Sequence, residues 1–229
     1  VGLLKIIEDG EIAQKHPPQA VKHGLYENHA FGTADQNVRF RLRDGKPVSQ
    51  ILAEAQDDPS YDLIIMGTRG YTGLKKLLVG SIAQEVALHA PCSILVAKNL
   101  QPDQRVLVGV TGRETALEAV RQGAQLASAM NTHLKLLAVV ADIEMRPSAE
   151  EHVAEAREVA SLPKEQIESD IVVGDSTSTL LSEAGDAHIL VLGRAKRSKM
   201  SEIFRGDLSL KILNQSQSPV LITSYPRPL

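Results

Sequence analysis

The amino-acid sequence predicts an α/β protein built from two doubly wound, five-stranded parallel-sheet domains in tandem, the first of which lacks its first strand and helix. Three observations predict this fold class. Continuous apolar runs of strand length alternate with segments of helical periodicity, which is typical of parallel sheets covered on both faces. The chain also repeats itself, and the first repeat is short at its front.

The repeat is visible without gaps. The stretch DLIIMGTRGYTGLKKLLVGSIAQEVALHAPCSILVAK, from Asp62, aligns with HILVLGRAKRSKMSEIFRGDLSLKILNQSQSPVLITS, from His188, at a constant offset of 126 over 37 positions. Upstream, GKPVSQILAEA from Gly45 matches GDSTSTLLSEA from Gly174. The chain therefore contains two copies of one folding unit.

This duplication predicts the domain organisation. A domain over 1–98 carries an intact glycine motif, a linker follows over 99–104, and a degenerate copy occupies 105–229. Pro102 and its polar neighbours are typical of a boundary between domains.

The second copy contains every element of the unit, with strands and helices alternating and joined by right-handed crossovers. Its predicted strands are RVLVGV (105–110), HLKLLAVV (133–140), IESDIVV (167–173), HILVLG (188–193) and PVLITS (219–224). Its predicted helices lie over 113–130, around Val153–Val159, over 176–184 and near 201–214.

The first copy begins late. LLKII (3–7) starts 42 residues before Gly45 and HLKLLAVV starts 41 residues before Gly174, so LLKII aligns with the second strand of the unit. The first strand and helix are then absent, and either the chain is a fragment or another segment fills the gap. A competing register makes LLKIIEDGE the first strand with Asp9–Gly10 as its terminal turn, but it leaves few residues before Val38.

Composition excludes several classes of function. A net charge of −3 and 3% aromatic residues give neither the basic field nor the stacking surface that nucleic-acid binding needs. No apolar run approaches the roughly 20 residues of a bilayer span, and no signal peptide is present, so the chain is expected to be soluble. Its start at Val1 suggests that the native start lies upstream or was removed. Cys92 is expected to be buried and unreactive in a reducing compartment.

The loop GTRGYTGLKKLLVGS (67–81) is the strongest candidate for a site. Gly67 closes the fourth strand at its carboxyl end, where open α/β sheets bind ligands, and a glycine lets a ligand approach the backbone closely. Gly80 and Ser81 open the next helix, whose first amides can receive phosphate oxygens. Cations in the same loop suit a polyphosphate: Arg69, Lys75 and Lys76.

A purely structural interpretation of this loop stays open. Corners between a strand and a helix need glycine and serine in any case, and Ser81 can serve as an N-cap only. The loop has neither the Gly-Lys-Ser/Thr triplet of a Walker A motif nor the GxGxxG fingerprint of dinucleotide sites. Three glycines at fixed offsets followed by a serine are nevertheless more specific than a lone pair of glycines.

The pattern Gly-x2-Gly-x9-Gly-Ser, between YDLIIM and IAQEVALHAPCSILVAK, resembles the signature of the universal stress protein family. The resemblance spans both copies and is strong over 45–98. It implies Rossmann-like domains that dimerise, and one branch of that family binds ATP, with or without magnesium. By this resemblance the nucleotide-binding residues are Met66, on the adenine or ribose side, and, around the phosphates, Gly67, Arg69, Gly70, Gly80 and Ser81.

The resemblance also implies an assembly and a function. Tandem members of that family pack their two domains as a pseudo-dimer, which implies that SILVA (93–97) pairs with VLITS (220–224), and a homodimer is expected in addition. The function implied is a non-catalytic, nucleotide-binding regulatory or stress-response module in the cytoplasm that acts through dimerisation. Slow ATP hydrolysis stays open, although the sequence has no HExxH motif or paired carboxylates that would recommend catalysis.

Two departures from the family pattern concern the pocket. ATP-binding members carry an Asp at the end of the first strand, and the first copy has no such strand to carry it. The second copy has Thr111 at that turn, Lys196 for the second glycine and Asp207 for the serine. A carboxylate at that helix start repels phosphate, so the second copy is predicted to bind no nucleotide.

A second class of function is the cytosolic regulatory C-terminal domain of a secondary membrane transporter, which need not bind nucleotide. VGLLKII and the basic, proline-containing stretch after it are loosely similar to the C-terminal domain of cation–chloride cotransporters. Tandem folds of this type are also found fused behind membrane segments, as an amino-acid permease-like transporter would have. Such a tail would lie at the cytosolic face of the membrane, and the start at Val1 fits it.

Other polar residues are assigned structural roles. His16, His23 and His29 fit no compact zinc spacing, so no metal site is predicted. His89 is placed near a helix C-terminus, where a cation complements the dipole. The cluster Ser176–Thr179 is interpreted as a helix N-terminus, with phosphorylation as the alternative.

Overall fold

The computed structural model describes residues 2–7, 39–68, 79–99, 104–111, 114–185, 188–194 and 208–224. The chain divides into two compact units, Val1–Asp58 and Pro59–Leu229. The first unit holds the front of the first sequence copy, and the second holds the rest of that copy with the whole second copy. The copy boundaries at 98 and 105 describe the repeat and remain a prediction.

The first unit contains a small parallel sheet and one helix. Strand β1 (Gly2–Ile7) pairs in parallel with β2 (Arg39–Asp44), and helix α1 (Pro47–Asp57) follows. Arg43 binds two carboxylates of this helix, Glu54 at 2.5 Å and Asp57 at 3.3 Å, and so ties α1 to the end of β2.

The pairing of β1 decides between the two registers considered for the front of the chain. In the second copy, the strand that pairs with the third strand of the unit is the second strand. Strand β2 leads directly into Gly45 and is therefore a third strand, so its partner β1 is a second strand. The alignment of LLKII with the second strand is confirmed, and the register that made LLKIIEDGE a first strand is wrong.

The second unit alternates strands and helices in the predicted order. Its elements are β3 (Leu63–Gly67), α2 (Ser81–His89), β4 (Ser93–Ala97), β5 (Arg105–Val110), α3 (Glu114–Ala129), β6 (Leu134–Val140), α4 (Arg146–Ala160), β7 (Ile167–Val173), α5 (Ser176–Ala184), β8 (His188–Gly193), α6 (Leu208–Gln215) and β9 (Val220–Thr223). The predicted elements of the second copy are confirmed, although the described part of the last helix begins at Leu208 and 201–207 lie outside the described residues.

The strands of the second unit form one seven-stranded sheet in the order β3-β4-β9-β8-β5-β6-β7. The five strands of the second copy are parallel, with the first strand central, as a doubly wound fold requires. Strands β4 and β9 run antiparallel, from Ile94 opposite Ile222 to Val96 opposite Val220. The pairing of SILVA with VLITS that the resemblance implied is therefore confirmed, and it makes the two copies share one sheet.

Helices cover both faces of this sheet. Val108 and Gly109 are neighbours on β5 and face opposite sides, since Val108 lies against Gly123 of α3 and Gly109 lies against Leu180 of α5. Helices α3 and α4 pack together on one face, and α5 packs with α6. The fully buried side chains between α3, α4 and the sheet include Val106, Val108, Val120, Leu134, Leu136, Ile189 and Val191. Among the described residues, no helix is both long enough and apolar enough to cross a bilayer.

Candidate functional site

The two ends of the glycine loop meet at the carboxyl end of β3. Met66 and Gly67 are the last residues of this strand, and Thr68 follows. The backbone amide of Gly80 donates a hydrogen bond of 3.0 Å to the carbonyl oxygen of Thr68, which holds the start of α2 against the end of the strand. Four of the six predicted site residues, Met66, Gly67, Gly80 and Ser81, are thereby brought together. Arg69 and Gly70 lie outside the described residues.

Helix α2 begins without a side-chain cap. Gly80 is the N-cap residue, with φ −64° and ψ 153°, and it has no side chain to accept a bond from the helix amides. The first helical bond of the ladder runs from Gln84 N to Gly80 O at 3.1 Å. The amides of the first turn, at Ser81, Ile82 and Ala83, therefore have no partner within the helix and carry the positive end of its dipole.

Ser81 is not the N-cap that the structural interpretation of this loop made it. It is the first helical residue and is exposed. The structural role considered for this serine is therefore wrong, because the capping position belongs to the glycine before it. An anion at this end of α2 would meet several amides and a hydroxyl without displacing a capping side chain.

Gly80 is a glycine for a local steric reason. A Cβ at this position would lie 3.1 Å from the carbonyl oxygen of Thr68, closer than side chains ordinarily approach a backbone oxygen. The close contact between strand end and helix start therefore requires the absence of a side chain. This requirement exists with or without a ligand.

The glycine that ends the fourth strand has a packing role in the second copy that sequence reasoning missed. A Cβ on Gly193 would lie 2.4 Å from the carbonyl oxygen of Thr115, in the first turn of α3. At the matching Gly67, no atom of the described residues lies within 4 Å of the corresponding point. Gly193 is thus explained by helix packing alone, and a glycine at Gly67 is not by itself a sign of ligand binding. The comparison of the two copies contained this signal, since Gly193 persists where the rest of the motif has changed.

The residues at which the second copy departs from the family pattern lie only partly within the described ranges. Thr111 follows β5 and is exposed. Lys196, Gly206 and Asp207 lie outside the described residues, as do Lys75 and Lys76 of the first copy. The absence of nucleotide binding by the second copy remains a prediction.

Two cations at the junction of the copies were missed by sequence reasoning. Lys98 was assigned to the end of the first copy, beside the linker, yet it is buried and its ammonium donates to the carbonyl oxygens of Leu213 and of Ser216, the latter at 2.8 Å. These carbonyls belong to the C-terminal end of α6, so Lys98 caps a helix of the other copy. Burial lowers the pKa of this ammonium from 10.5 to about 8.

Arg194 makes the corresponding contact in the other direction. Its guanidinium donates to the carbonyl oxygen of Ala90, just after α2, at 2.5 Å. The amide of Ser224 also donates to the hydroxyl of Ser93 across the β4–β9 pair, at 2.9 Å. We call these contacts, together with β4, β9 and Lys98, the copy junction. They bind the element that carries the candidate site to the second copy.

The remaining candidates have structural explanations. His89 is the last residue of α2, and its Nδ1 lies 2.9 Å from the carbonyl oxygen of Glu85, consistent with its predicted place at a helix C-terminus. Asp175, and not the Ser176–Thr179 cluster, caps α5, because its carboxylate accepts from Ser178 N at 2.8 Å. Cys92 is buried as predicted. His16, His23 and His29 lie outside the described residues, and no cluster of metal-binding side chains occurs within the described ranges.

Fold and site together define a tandem α/β protein. Its first copy keeps the junction of strand end and helix start formed by Gly67, Gly80 and Ser81, which we call the glycine corner. A profile of the universal stress protein family matches residues 7–98 and 103–224. The chain therefore belongs to the universal stress protein family.

Individual relatives agree with this assignment. A putative universal stress protein of Staphylococcus aureus strain USA300 is 32% identical over 84 residues, which are 37% of this chain and 50% of that protein. The chain thus spans about half the length of this relative. Among solved structures, a protein of unknown function from Pseudomonas aeruginosa PAO1 aligns with a TM-score of 0.69 at 19% identity, over 97% of this chain and 82% of that one. The cytoplasmic domain of a prokaryotic cation chloride cotransporter aligns with a TM-score of 0.57 at 11% identity, over 96% and 83% of the respective chains.

Proposed function

We propose that this protein is a non-catalytic regulatory module of the universal stress type whose first copy binds ATP at the start of α2. The observation that carries the proposal is the uncapped N-terminus of α2, held against the carboxyl end of β3 by the bond from Gly80 to Thr68. Phosphate oxygens at this place would accept hydrogen bonds from the amides of the first turn and from the Ser81 hydroxyl. Met66 lies at the same strand end and is the residue proposed to contact the adenine or ribose.

Binding is proposed to be reported through association. The helix that would hold the phosphates is joined to the second copy through Arg194 and Ala90, so a change at its N-terminus acts on an element of the copy junction. Homodimer formation in the cytoplasm is the proposed readout. The proposed module performs no catalysis, and slow ATP hydrolysis would be a side activity.

The test is a calorimetric titration of the whole chain with ATP, with and without magnesium. Ser81→Asp gives this position the residue that the second copy has at Asp207. An aspartate in the first turn interacts favourably with the helix dipole but repels phosphate. The variant should therefore keep its thermal stability and lose ATP binding. Ser81→Ala removes one hydrogen bond and should weaken binding by roughly two- to tenfold.

Two controls accompany this test. Gly206→Glu, the position in the second copy that matches Gly80, and His23→Ala should leave ATP affinity unchanged, whereas Gly80→Glu should abolish binding. Failure of the unmodified chain to bind millimolar ATP contradicts the proposal. Equal loss of binding in Gly206→Glu would place the nucleotide in the second copy instead.

A regulatory domain of a membrane transporter is the second candidate function. It is favoured by the likeness to the cotransporter cytoplasmic domain, which extends over nearly the whole chain and supports a shared fold. Under this proposal the duplicated fold serves as a docking module at the cytosolic face of the membrane and needs no nucleotide. Absence of ATP binding by the folded, unmodified chain at millimolar nucleotide would favour it.

A further inference from the structure

Strand β3 forms one edge of the seven-stranded sheet and exposes large apolar side chains. Leu63 is 41% exposed and Ile65 is 64% exposed, and the five residues of the strand include no charge. Within the described residues, β3 pairs with β4 along one side only. An apolar, uncharged edge of this kind is a template for pairing with another strand.

The opposite edge of the same sheet is protected. Strand β7 presents Glu168 and Asp170 as exposed charges, and Asp170 binds Lys135 of the neighbouring strand at 2.9 Å. Charged side chains are the usual device by which a sheet keeps a permanent edge free of partners. Strand β7 thus carries protective charges, whereas β3 has no charged residue.

The second copy shows what covers the matching position. Strand β8 corresponds to β3, and its residues Ile189 and Val191, which match Leu63 and Ile65, are 1% and 0% exposed. They are flanked by β5, which pairs with β8 in parallel with Val106 opposite Ile189 and Val108 opposite Val191, and they share a core cluster with Val120 of α3. Helix α3, which follows β5, packs against the same strand.

The glycines at the strand ends support the same comparison. In the second copy, the first turn of α3 approaches Gly193 so closely that a Cβ would collide with the Thr115 carbonyl. At Gly67 no atom from the described ranges lies within 4 Å of the corresponding point. Among the described residues, there is therefore room for a helix start at Gly67 and for a strand along the edge of β3.

We propose that the open edge of β3 is a docking site for a partner polypeptide segment made of one apolar strand followed by a helix. The strand adds parallel to β3, with apolar side chains opposite Leu63 and Ile65 as Val106 and Val108 lie opposite their counterparts. The first turn of the helix lies over Gly67. The interaction is strand addition, in which backbone hydrogen bonds supply affinity and the apolar side chains supply specificity.

The chain contains a probe for this site in its own sequence. A synthetic peptide with the sequence of residues 104–130, QRVLVGVTGRETALEAVRQGAQLASAM, includes both β5 and α3. Added to the whole chain, it should slow hydrogen exchange of the alternate β3 amides that face away from β4 by at least about tenfold. A fusion of the same segment to the chain through a flexible linker gives the measurement at high effective concentration.

Matched variants test the location. Ile65→Lys places a charge on the open edge and should weaken peptide binding by at least about tenfold. Ile143→Lys replaces an equally exposed isoleucine, 60% accessible, outside this strand and should have no effect. Circular dichroism confirms that both variants are folded before exchange is measured.

Two outcomes would overturn the proposal. Unchanged exchange of the β3 amides in both the peptide mixture and the fusion would show that the edge accepts no such segment. Protection of β3 that is present without peptide, falls on dilution and is abolished by Ile65→Lys would show that a second copy of the chain occupies the edge. Protection that requires the segment and is lost in Ile65→Lys supports the proposal.

Discussion

His188 is a buried histidine at the start of β8, at the opposite end of the strand from Gly193. Its Nδ1 lies 3.0 Å from the carbonyl oxygen of Ala184, and since a carbonyl can only accept, Nδ1–H donates. Nε2 is buried and has no hydrogen-bond partner among the described residues. Burial lowers the pKa of this histidine below its ordinary value of 6.5, and the neighbouring charges of Arg105 and Lys135 act in the same direction.

Stability should therefore fall on acidification. Because the folded-state pKa of His188 is depressed, the unfolded chain binds the proton first, and stability present above pH 6.5 is lost as the pH falls toward the folded-state pKa. One such group gives a slope of at most about 1.4 kcal/mol per pH unit. His188→Leu should flatten the slope of the unfolding free energy against pH, measured with urea between pH 7 and pH 5. An equal slope in His188→Leu and the unmodified chain would contradict this assignment.

At the scale of elements, most strands of the second unit were predictable because they are continuous apolar runs. SILVA and HILVLG were predicted to the residue, since a strand buried on both faces leaves a strong local pattern. The edge strand IESDIVV was also predicted to the residue, although it is largely exposed. The cap of α5 was not, because Asp175 and the Ser176–Thr179 cluster are all good capping residues and only geometry selects among them. Lys98 was not predicted either, since its partners at Leu213 and Ser216 are more than a hundred residues away in the chain.

The glycine corner shows the limit of motif reasoning for the site. Sequence correctly predicted that Gly67 ends a strand and that Gly80 and Ser81 open a helix. It could not separate glycines needed for packing from glycines needed for a ligand, because both requirements leave the same residue. Gly193 is explained by Thr115, whereas Gly67 has no neighbour that explains it in the described residues.

This difference between the two glycines is measurable. Gly193→Ala places a Cβ 2.4 Å from the Thr115 carbonyl and should lower the free energy of unfolding by about 1–3 kcal/mol, because a helix must shift to admit it. Gly67→Ala meets open space and should change stability by less than about 0.5 kcal/mol. Urea denaturation of the two variants makes the comparison, and an equal loss at both positions would contradict it.

At the scale of the whole molecule, the sequence repeat and the physical contacts divide the chain at different places. The repeat changes copy near residues 99–104, but β3, α2 and β4 share a sheet with the second copy. The copy junction joins them through backbone bonds between β4 and β9 and through two buried or half-buried cations, Lys98 and Arg194. Covalent continuity of the linker should therefore matter little for the association of the two copies.

Cleavage of the linker tests this expectation. Replacing residues 100–103 by a protease recognition sequence and cutting there should leave the fragments 1–99 and 104–229 together on size-exclusion chromatography, since the buried residues of β4 cannot leave β9 without exposing apolar surface. Lys98→Met removes the donor from two carbonyls at the end of α6, at a cost of about 1–3 kcal/mol, and should make the cut fragments separate more readily on dilution. Exposed Lys164→Met is the matched control and should behave like the unmodified chain. Separation of the cut, unmodified fragments at every concentration tested would mean that the linker, and not the shared sheet, holds the copies together, and equal separation in all three proteins would mean that Lys98 does not contribute.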